Sequence, residues 1–190
     1  CSRHKPIHMQ HDHLGELPPL AIPEGYTCRP MRANEAWAYL AVMNKSNFAG
    51  EANIEWFHAT FEKDPLYDPS YLQIIWRGDH PVAAAGAWHR DIEGERCGMI
   101  HWVGVVDSER GKGLGEAVTL AALHRLRERG FAKAVLTTHV WRLPAVACYL
   151  RLGFRPWPTK EAPGEVWDRV LANLETWRQA RRPRQGRQTC

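Results

Sequence analysis

The spacing of hydrophobic and polar positions changes along the chain, and each change predicts a strand or a helix. Runs rich in β-branched and aromatic residues predict strands at 26–32, 71–76, 81–89 and 97–106. The last run, CGMIHWVGVV, is almost continuously apolar, which is typical of a central strand. Because the last three strands follow one another closely, we expect an antiparallel meander.

Helices are predicted between the first two strands and throughout the second half of the chain. The segment AWAYLAVMN follows Asn34, a suitable N-cap, and helical spacing places Trp37, Leu40 and Ala41 on one face. Further helices are expected near 55–61 and at 114–129, 144–152 and 165–177, with a strand at 134–138. The order of these elements predicts an α/β fold with a mixed sheet.

The composition predicts one folded domain with a segment at each end. The chain has 190 residues, of which 44% are hydrophobic and 24% charged, as is ordinary for a globular domain. Residues 1–24 are rich in His and Pro without an apolar period, which predicts an irregular arm. We expect the domain at 25–158, a C-terminal helix at 159–178 and a disordered basic tail at 179–190.

Charge and cysteine usage exclude several classes of protein. The formal net charge is +4, but five arginines lie in the last 13 residues, a pattern typical of a solvated tail, so we expect no nucleic-acid partner. No apolar run approaches the roughly 20 residues that cross a bilayer, and the first 24 residues hold no signal core. The odd cysteine count without a CxxC pair favours a reducing cytoplasm, and His11 with His13 lacks the other ligands of a metal site.

The most informative segment is VGVVDSERGKGLGEAV at 103–118, where an apolar strand leads through a glycine-rich loop into a helix. The first amides of a helix have no intrahelical partners, and the macrodipole is positive there, so such a loop suits phosphate oxygens. Arg110 and Lys112 add charge. The spacing matches neither a P-loop nor a dinucleotide fingerprint, which leaves a diphosphate site of another kind or a glycine-rich turn without a ligand.

The loop Arg110-Gly111-Lys112-Gly113-Leu114-Gly115 resembles the Arg/Gln-x-x-Gly-x-Gly/Ala signature of the GNAT superfamily of acyl-CoA-dependent N-acyltransferases. The segment 145–154, AVACYLRLGF, is similar to a later block of that superfamily, one helix and one strand further on. The resemblance covers about 26–157 and implies the order β-α-α-β-β-β-α-β-α-β, here with an extra C-terminal helix. Trp157-Pro158 and the helix that follows favour a last strand that is missing or replaced.

This resemblance implies a set of site residues. The backbone of Val103 and Val105 would contact the pantetheine arm of acetyl-CoA, the cosubstrate, and residues 110–115 would hold its pyrophosphate. Arg142 stands where the family has an asparagine and is assigned to the same site. The central strand and the 134–138 strand would be parallel and splay apart to form the cleft. Tyr149 would lie near the thiol.

Acyl transfer needs a proton for the departing thiolate and a base for the amine. Tyr149 is the candidate acid, because a phenol is protonated at neutral pH. A backbone N–H of Val103 or Val105 would polarise the carbonyl. His101 is the first candidate base, since strand alternation places it on the same face as Val103 and Val105. The other candidates are Glu55, His58, His89 and water.

The sequence therefore predicts a cytoplasmic N-acetyltransferase that moves an acetyl group from acetyl-CoA directly to a small-molecule amine, without a metal. Two alternatives stay open: a protein or peptide acetyltransferase, with Trp56, Phe57 and Trp88 bordering an open groove, and a non-catalytic acyl-CoA-binding regulatory module. A homodimer is also open. The segment 64–72, with its two Asp-Pro pairs, is similar to mycothiol-synthase-like members, but it does not select an acceptor.

Overall fold

The computed structural model describes residues 5–46, 51–92 and 94–181. The described residues form seven strands: β1 (Pro6–His11), β2 (Thr27–Pro30), β3 (Leu72–Arg77), β4 (His80–Ile92), β5 (Glu95–Val105), β6 (Ala134–His139) and β7 (Arg155–Trp157). Five α-helices accompany them: α1 (Ala36–Asn44), α2 (Ile54–Phe57), α3 (Leu114–Glu128), α4 (Leu143–Arg151) and α5 (Gly164–Arg181). A π-helical turn, His58–Glu62, extends α2.

The strands form one mixed sheet in the order β2-β3-β4-β5-β6-β1-β7. Strands β3, β4 and β5 make the expected antiparallel meander, and β5 pairs parallel with β6. That parallel pairing is confined to Gly98 with Ala134 and Met99 with Val135. In the described residues β5 and β6 form no further pairs beyond these, and the unpaired region between their C-terminal halves is called the β5–β6 gap. The predicted α/β class with a mixed sheet is confirmed.

The N-terminal segment corrects the expectation of an irregular arm. Strand β1 lies inside the sheet, antiparallel to both β6 and β7. Ile7, Met9 and His11 face the interior in alternation, and Ile7 and Met9 are completely buried. The last strand of the chain, β7, is therefore only three residues long and pairs with β1 instead of β6. The expected replacement of the terminal strand comes from the opposite end of the chain.

Helices α1 and α5 also differ from the sequence analysis. Glu35, not Asn34, precedes α1, and its carboxylate accepts hydrogen bonds from the Arg29 guanidinium and the Arg32 amide. The face predicted to be buried is also different. Trp37 is 54% exposed, whereas Ala38, Tyr39, Val42 and Met43 are buried, because α1 is apolar on every side and its sequence does not mark one face.

Helix α5 continues to Arg181, three residues into the segment expected to be a disordered tail. The rest of that tail, 182–190, lies outside the described residues together with 1–4, and so do Cys1, Cys190, Arg182, Arg184 and Arg187. Within the described ranges, no helix is long and apolar enough to cross a bilayer.

The sheet separates two cores. Helices α3, α4 and α5 cover one face, where Leu123, Leu136 and Val146 are buried. Helix α1 and the α2 segment cover the other face, where Tyr39, Phe57 and Phe61 are buried. Strand β5 contributes side chains to both cores. An irregularity in its backbone would therefore change which of its side chains face each core.

Candidate functional site

The glycine-rich loop joins β5 to α3 in a conformation that requires glycine at two positions. Gly111 and Gly113 have φ angles of +79° and +80°, in the left-handed region where other residues are strained. Helix α3 starts at Leu114 without a side-chain cap. The glycines therefore shape a loop that ends on an uncapped helix N-terminus.

The amides of this loop lack acceptors. Before the loop, the amides of Asp107, Glu109 and Arg110 donate to backbone oxygens, and after it Glu116 and Ala117 donate to Gly113. Within the described part of the chain, the N–H groups of residues 111–115 donate to no acceptor. Backbone amides are nearly always paired when buried, so this run of unpaired amides at a helix N-terminus could hold an anion.

The loop also leaves room for a ligand. A Cβ placed on Gly111 would meet no atom within 4 Å, and one on Gly113 would only reach Pro23 at 4.0 Å. On Gly115 it would meet Val105 Cγ2 at 3.5 Å, an ordinary contact. Gly115 has neither a positive φ nor a crowded environment, so protein packing does not explain why it lacks a side chain.

The two cations that the sequence analysis expected to add charge to the loop, Arg110 and Lys112, are both paired with acids. Lys112 Nζ lies 2.7 Å from Glu109 Oε2, and Arg110 Nη2 lies 2.6 Å from Asp107 Oδ1. Glu109 also accepts hydrogen bonds from the hydroxyl of Tyr26 and the guanidinium of Arg77. These donors, Lys112 first, lower the pKa of the Glu109 carboxyl to about 2. The donors that the loop could offer to an anion are therefore chiefly its backbone N–H groups.

The gap between β5 and β6 presents backbone donors. Val106 donates its N–H to Val82 in β4. Because successive N–H groups of a strand point to opposite edges, the N–H groups of Val105 and Val103 point to the other edge, toward β6. Their side chains pack on the core under α3. Val103 and Val105 thus border the gap that opens beyond Met99.

Tyr149 lies on α4 in the same core as Val103 and Val105 and is 8% exposed. Burial raises the pKa of its phenol, and the charge of nearby Arg142 partly opposes that rise. Arg142 precedes α4, and its guanidinium lies 5.0 Å from the centre of the Trp141 ring. The structure therefore brings Tyr149, Arg142 and the two valines to one side of the sheet.

His101 lies on the opposite face, and the prediction that it shares a face with Val103 and Val105 is wrong. Strand β5 bulges at Trp102, whose φ is +47°, so alternation is interrupted between His101 and Val103. The imidazole packs against Phe61 in the core under α1. Burial lowers the pKa of His101 to about 4, so the ring is neutral at pH 7.

The other candidate bases are dispersed. Glu55 is exposed on α2, and His58 contacts Glu62 one turn along the same segment. His89 stacks on Trp88, with Nε2 3.4 Å from an Asp64 oxygen. No group of three side chains suited to a metal ion occurs in the described ranges.

The aromatic residues expected to border an open groove lie mostly in the core. Phe57 is completely buried and Trp88 is 7% exposed, while Trp56 is half-buried with its ring 5.5 Å from that of Trp102. They fill the space under α1 and α2, because Phe61 inserts its ring among them. The prediction that Phe57 and Trp88 border an open groove is therefore wrong.

Two residues of the site were missed. Tyr39 donates a hydrogen bond to the carbonyl of Trp102 at 3.0 Å, and Glu109 binds the loop to Tyr26, just before β2, and to Arg77 in β3. The i, i+3 spacing of Glu109 and Lys112 was a sequence signal for an ion pair. Nothing local in the sequence relates Tyr39 to a residue 63 positions away.

Comparison with known proteins relates the chain to a family, independently of the geometry. The family model described as acetyltransferase (GNAT) family matches residues 37–154. A mycothiol acetyltransferase of Pseudarthrobacter chlorophenolicus is 32% identical over 168 residues, covering 80% of this chain and 49% of that protein. One of Nocardioides is 32% identical over 167 residues, covering 77% and 55%. The chain spans about half the length of these relatives.

Solved structures share the fold. A GCN5-related N-acetyltransferase from Sphaerobacter thermophilus aligns with a TM-score of 0.67 at 21% identity, over 82% of this chain and 50% of that one. The ribosomal-protein-S18-alanine N-acetyltransferase from Escherichia coli aligns with a TM-score of 0.55 at 18% identity, over 73% and 87%. These likenesses concern the arrangement of strands and helices.

Proposed function

The chain belongs to the acetyltransferase (GNAT) family, and from that premise we propose that it transfers an acetyl group from acetyl-CoA to a primary amine of a small molecule. The observation that carries the proposal is the run of unpaired amides at 111–115, at the N-terminus of α3 and beside the β5–β6 gap. The pyrophosphate of acetyl-CoA would accept these N–H groups. The pantetheine arm would follow the gap along Val103 and Val105.

The binding energy of the loop would come from its amides. Each hydrogen bond to a charged oxygen contributes about 1.5–3 kcal/mol, so several converging amides suffice for a diphosphate without a metal. Lys112 would add a full charge only by leaving Glu109. Since Glu109 keeps Tyr26 and Arg77 as donors, that exchange would not leave its carboxylate unpaired.

The reaction is direct transfer. The neutral amine attacks the thioester carbonyl, whose oxygen gains negative charge and accepts the N–H of Val103 or Val105. The C–S bond then breaks, and the thiolate of CoA takes a proton. Tyr149 would supply this proton or donate a hydrogen bond to the sulfur, because its raised pKa keeps the phenol protonated. Arg142, which lies beside Tyr149, would make a polar contact with acetyl-CoA.

The amine must lose a proton. His101 is neutral at pH 7 and is proposed as its acceptor, from the face of β5 opposite the pantetheine. The bulge at Trp102 turns the strand between the two faces, so an amine approaching from the α1 side would meet the imidazole before the carbonyl. Water would then carry the proton to solvent.

The acceptor is proposed from the relatives. Because the curated relatives are named mycothiol acetyltransferases, a mycothiol precursor that carries a free amine leads the panel of amines to test. The reaction is assigned to 25–158 together with β1, in the cytoplasm. A homodimer and the roles of 159–178 and 179–190 stay predictions.

The test has two steps. Isothermal titration with CoA, acetyl-CoA and inorganic pyrophosphate measures binding, and an amine panel with acetyl-CoA measures release of free thiol. Binding of both CoA forms with thiol release on at least one amine is expected. Binding without thiol release on any amine would favour the non-catalytic module. Failure of both CoA forms to bind would overturn the proposal.

A further inference from the structure

The backbone of Trp102 is held in a conformation that tryptophan rarely adopts. Its φ is +47°, and it is the one non-glycine residue in the described ranges with a positive φ. Positive φ costs a bulky residue energy, so neighbouring interactions must maintain it. The strain falls within β5, beside the residues that border the gap.

Tyr39 is placed to maintain this conformation. Its hydroxyl donates to the carbonyl oxygen of Trp102 at 3.0 Å, and its side chain is completely buried. The rings of Phe57 and Phe61 pack edge-on against the Tyr39 ring at 6.0 and 5.4 Å and fix its position. Burial raises the pKa of Tyr39, so the hydroxyl stays a donor.

The facing strand is adapted to the same bulge. The β4–β5 register shifts between Ala84 and Gly86. A Cβ on Gly86 would lie 3.1 Å from the carbonyl oxygen of His101 and 3.3 Å from Leu72 Cδ2. Glycine at 86 thus leaves space for the displaced β5 backbone, while Tyr39 bonds that backbone from the α1 side.

The bulge determines which amides face the gap. Gly98 donates its N–H toward β6, to Lys133, whereas Val106 donates toward β4, to Val82. In a regular strand the N–H groups of residues 98 and 106, which are eight positions apart, would point to the same edge. The extra residue of the bulge reverses this alternation of N–H directions between them. Without the bulge, the N–H groups of Val103 and Val105 would point into β4.

We propose that Tyr39 is a positioning residue for acetyl transfer, whose hydroxyl holds the Trp102 bulge and thereby directs the Val103 N–H at the thioester carbonyl. This inference rests on the proposed function, because it needs the thioester to lie in the β5–β6 gap. Tyr39 is completely buried and would act through the Trp102 backbone, not by touching a substrate.

Isotope-edited infrared spectroscopy tests the inference without an amine. Acetyl-CoA labelled with ¹³C at the thioester carbonyl is bound to the wild type, Tyr39→Phe and Tyr67→Phe. Tyr67 is the matched control, because its ring packs on Phe57 in the same core. The wild type and the control should lower the carbonyl stretching frequency relative to free acetyl-CoA, and Tyr39→Phe should largely abolish that shift. The preference for acetyl-CoA over CoA should fall about 2- to 10-fold, as for one lost hydrogen bond.

A second variant separates positioning from general destabilisation. Trp102→Gly in the Tyr39→Phe background removes the penalty of positive φ, so the bulge can persist without the hydroxyl. We expect this double variant to recover the frequency shift. An unchanged shift in Tyr39→Phe, or no recovery in the double variant, overturns the inference. Absence of binding or of any shift in the wild type would overturn the proposed function as well, so the two failures are distinguishable.

Discussion

Lys112 Nζ lies 2.7 Å from Oε2 of Glu109, so the central cation of the glycine-rich loop is engaged by a carboxylate of the same loop. Glu109 is nearly buried and also binds Tyr26 and Arg77. This arrangement attaches the loop to Tyr26, just before β2, and to Arg77 in β3, and it leaves the backbone amides of the loop without acceptors. A loop held in this way does not need a ligand to keep its shape.

Replacing Glu109 by Gln should destabilise the fold in a pH-dependent way. The pKa of Glu109 is lowered to about 2 from an ordinary 4.5, so its charge stabilises the folded state above pH 4.5, and that contribution is lost as the pH falls toward 2. The wild type should unfold at a higher urea concentration than Glu109→Gln at pH 7, and the difference should shrink by pH 3. Glu128→Gln, on the surface of α3 beside Arg125, is the control and should behave like the wild type.

Gly113→Ala should cost both stability and CoA affinity. Alanine at φ +80° is strained by about 1 kcal/mol, and its methyl group would occupy open space in the loop where the pyrophosphate is proposed to bind. One lost charge-assisted hydrogen bond corresponds to a roughly 10-fold or larger rise in the CoA dissociation constant. Calorimetric titration with CoA measures this rise.

Gly130→Ala is the matched control for Gly113→Ala. Gly130 has φ +85°, lies at the other end of α3 and would place its Cβ in open space. The strain should again be about 1 kcal/mol, with unchanged CoA affinity. Equal CoA affinity for the two variants would contradict the assignment of the loop.

Regular elements could be predicted from the sequence, whereas their interruptions could not. Helix α3 was predicted at 114–129 and runs Leu114–Glu128, because a glycine and a clear apolar period mark its ends. The bulge at Trp102 was missed because β5 is apolar in either register. Strand β1 was missed because only two of its three interior positions, Ile7 and Met9, are apolar. The third is His11, so the alternation typical of a strand is not visible in the sequence.

The same distinction holds for the candidate site. The loop and Tyr149 were proposed from local motifs, and the structure shows the loop directly before α3 and Tyr149 on α4. The contacts from Tyr39 to Trp102 and from Tyr26 to Glu109 span 63 and 83 residues. Such pairs are determined by strand order and packing, which a single sequence does not encode in local spacing.

Tyr149→Phe should lower the rate of acetyl transfer and leave CoA binding intact. The ring is buried, so phenylalanine keeps its packing, and only the proton donor is lost. A general acid of this kind contributes about 100- to 10,000-fold. Because burial raises the pKa of Tyr149, the wild-type rate should not fall between pH 8 and pH 9.5 through its ionisation. Unchanged turnover in the variant, measured by thiol release, would show that Tyr149 is not the acid.

His101→Gln should make the fold more resistant to acid. The pKa of His101 is lowered to about 4 from an ordinary 6.5, so the unfolded chain binds a proton there first, and stability is lost as the pH falls from 6.5 to 4. This pKa shift corresponds to about 3 kcal/mol of unfolding free energy, which the wild type loses as the pH falls. Urea unfolding at pH 7 and pH 4.5 should show a smaller loss in His101→Gln. In the control His80→Gln, whose side chain is 82% exposed, the loss should equal that of the wild type.

Met9→Ala tests whether the N-terminal segment is part of the sheet. Met9 is completely buried in β1, opposite Leu136 of β6, so the substitution should cost about 2–5 kcal/mol of unfolding free energy. Leu20→Ala is the control, because Leu20 lies in the irregular part of the same segment and is 40% exposed; its cost should stay within about 0.5 kcal/mol. Since β1 pairs with the edge of β6 that faces away from the gap, its loss would also free β6 to move and should weaken acetyl-CoA binding. Equal stability of the two variants would mean that residues 6–11 do not form this strand in solution.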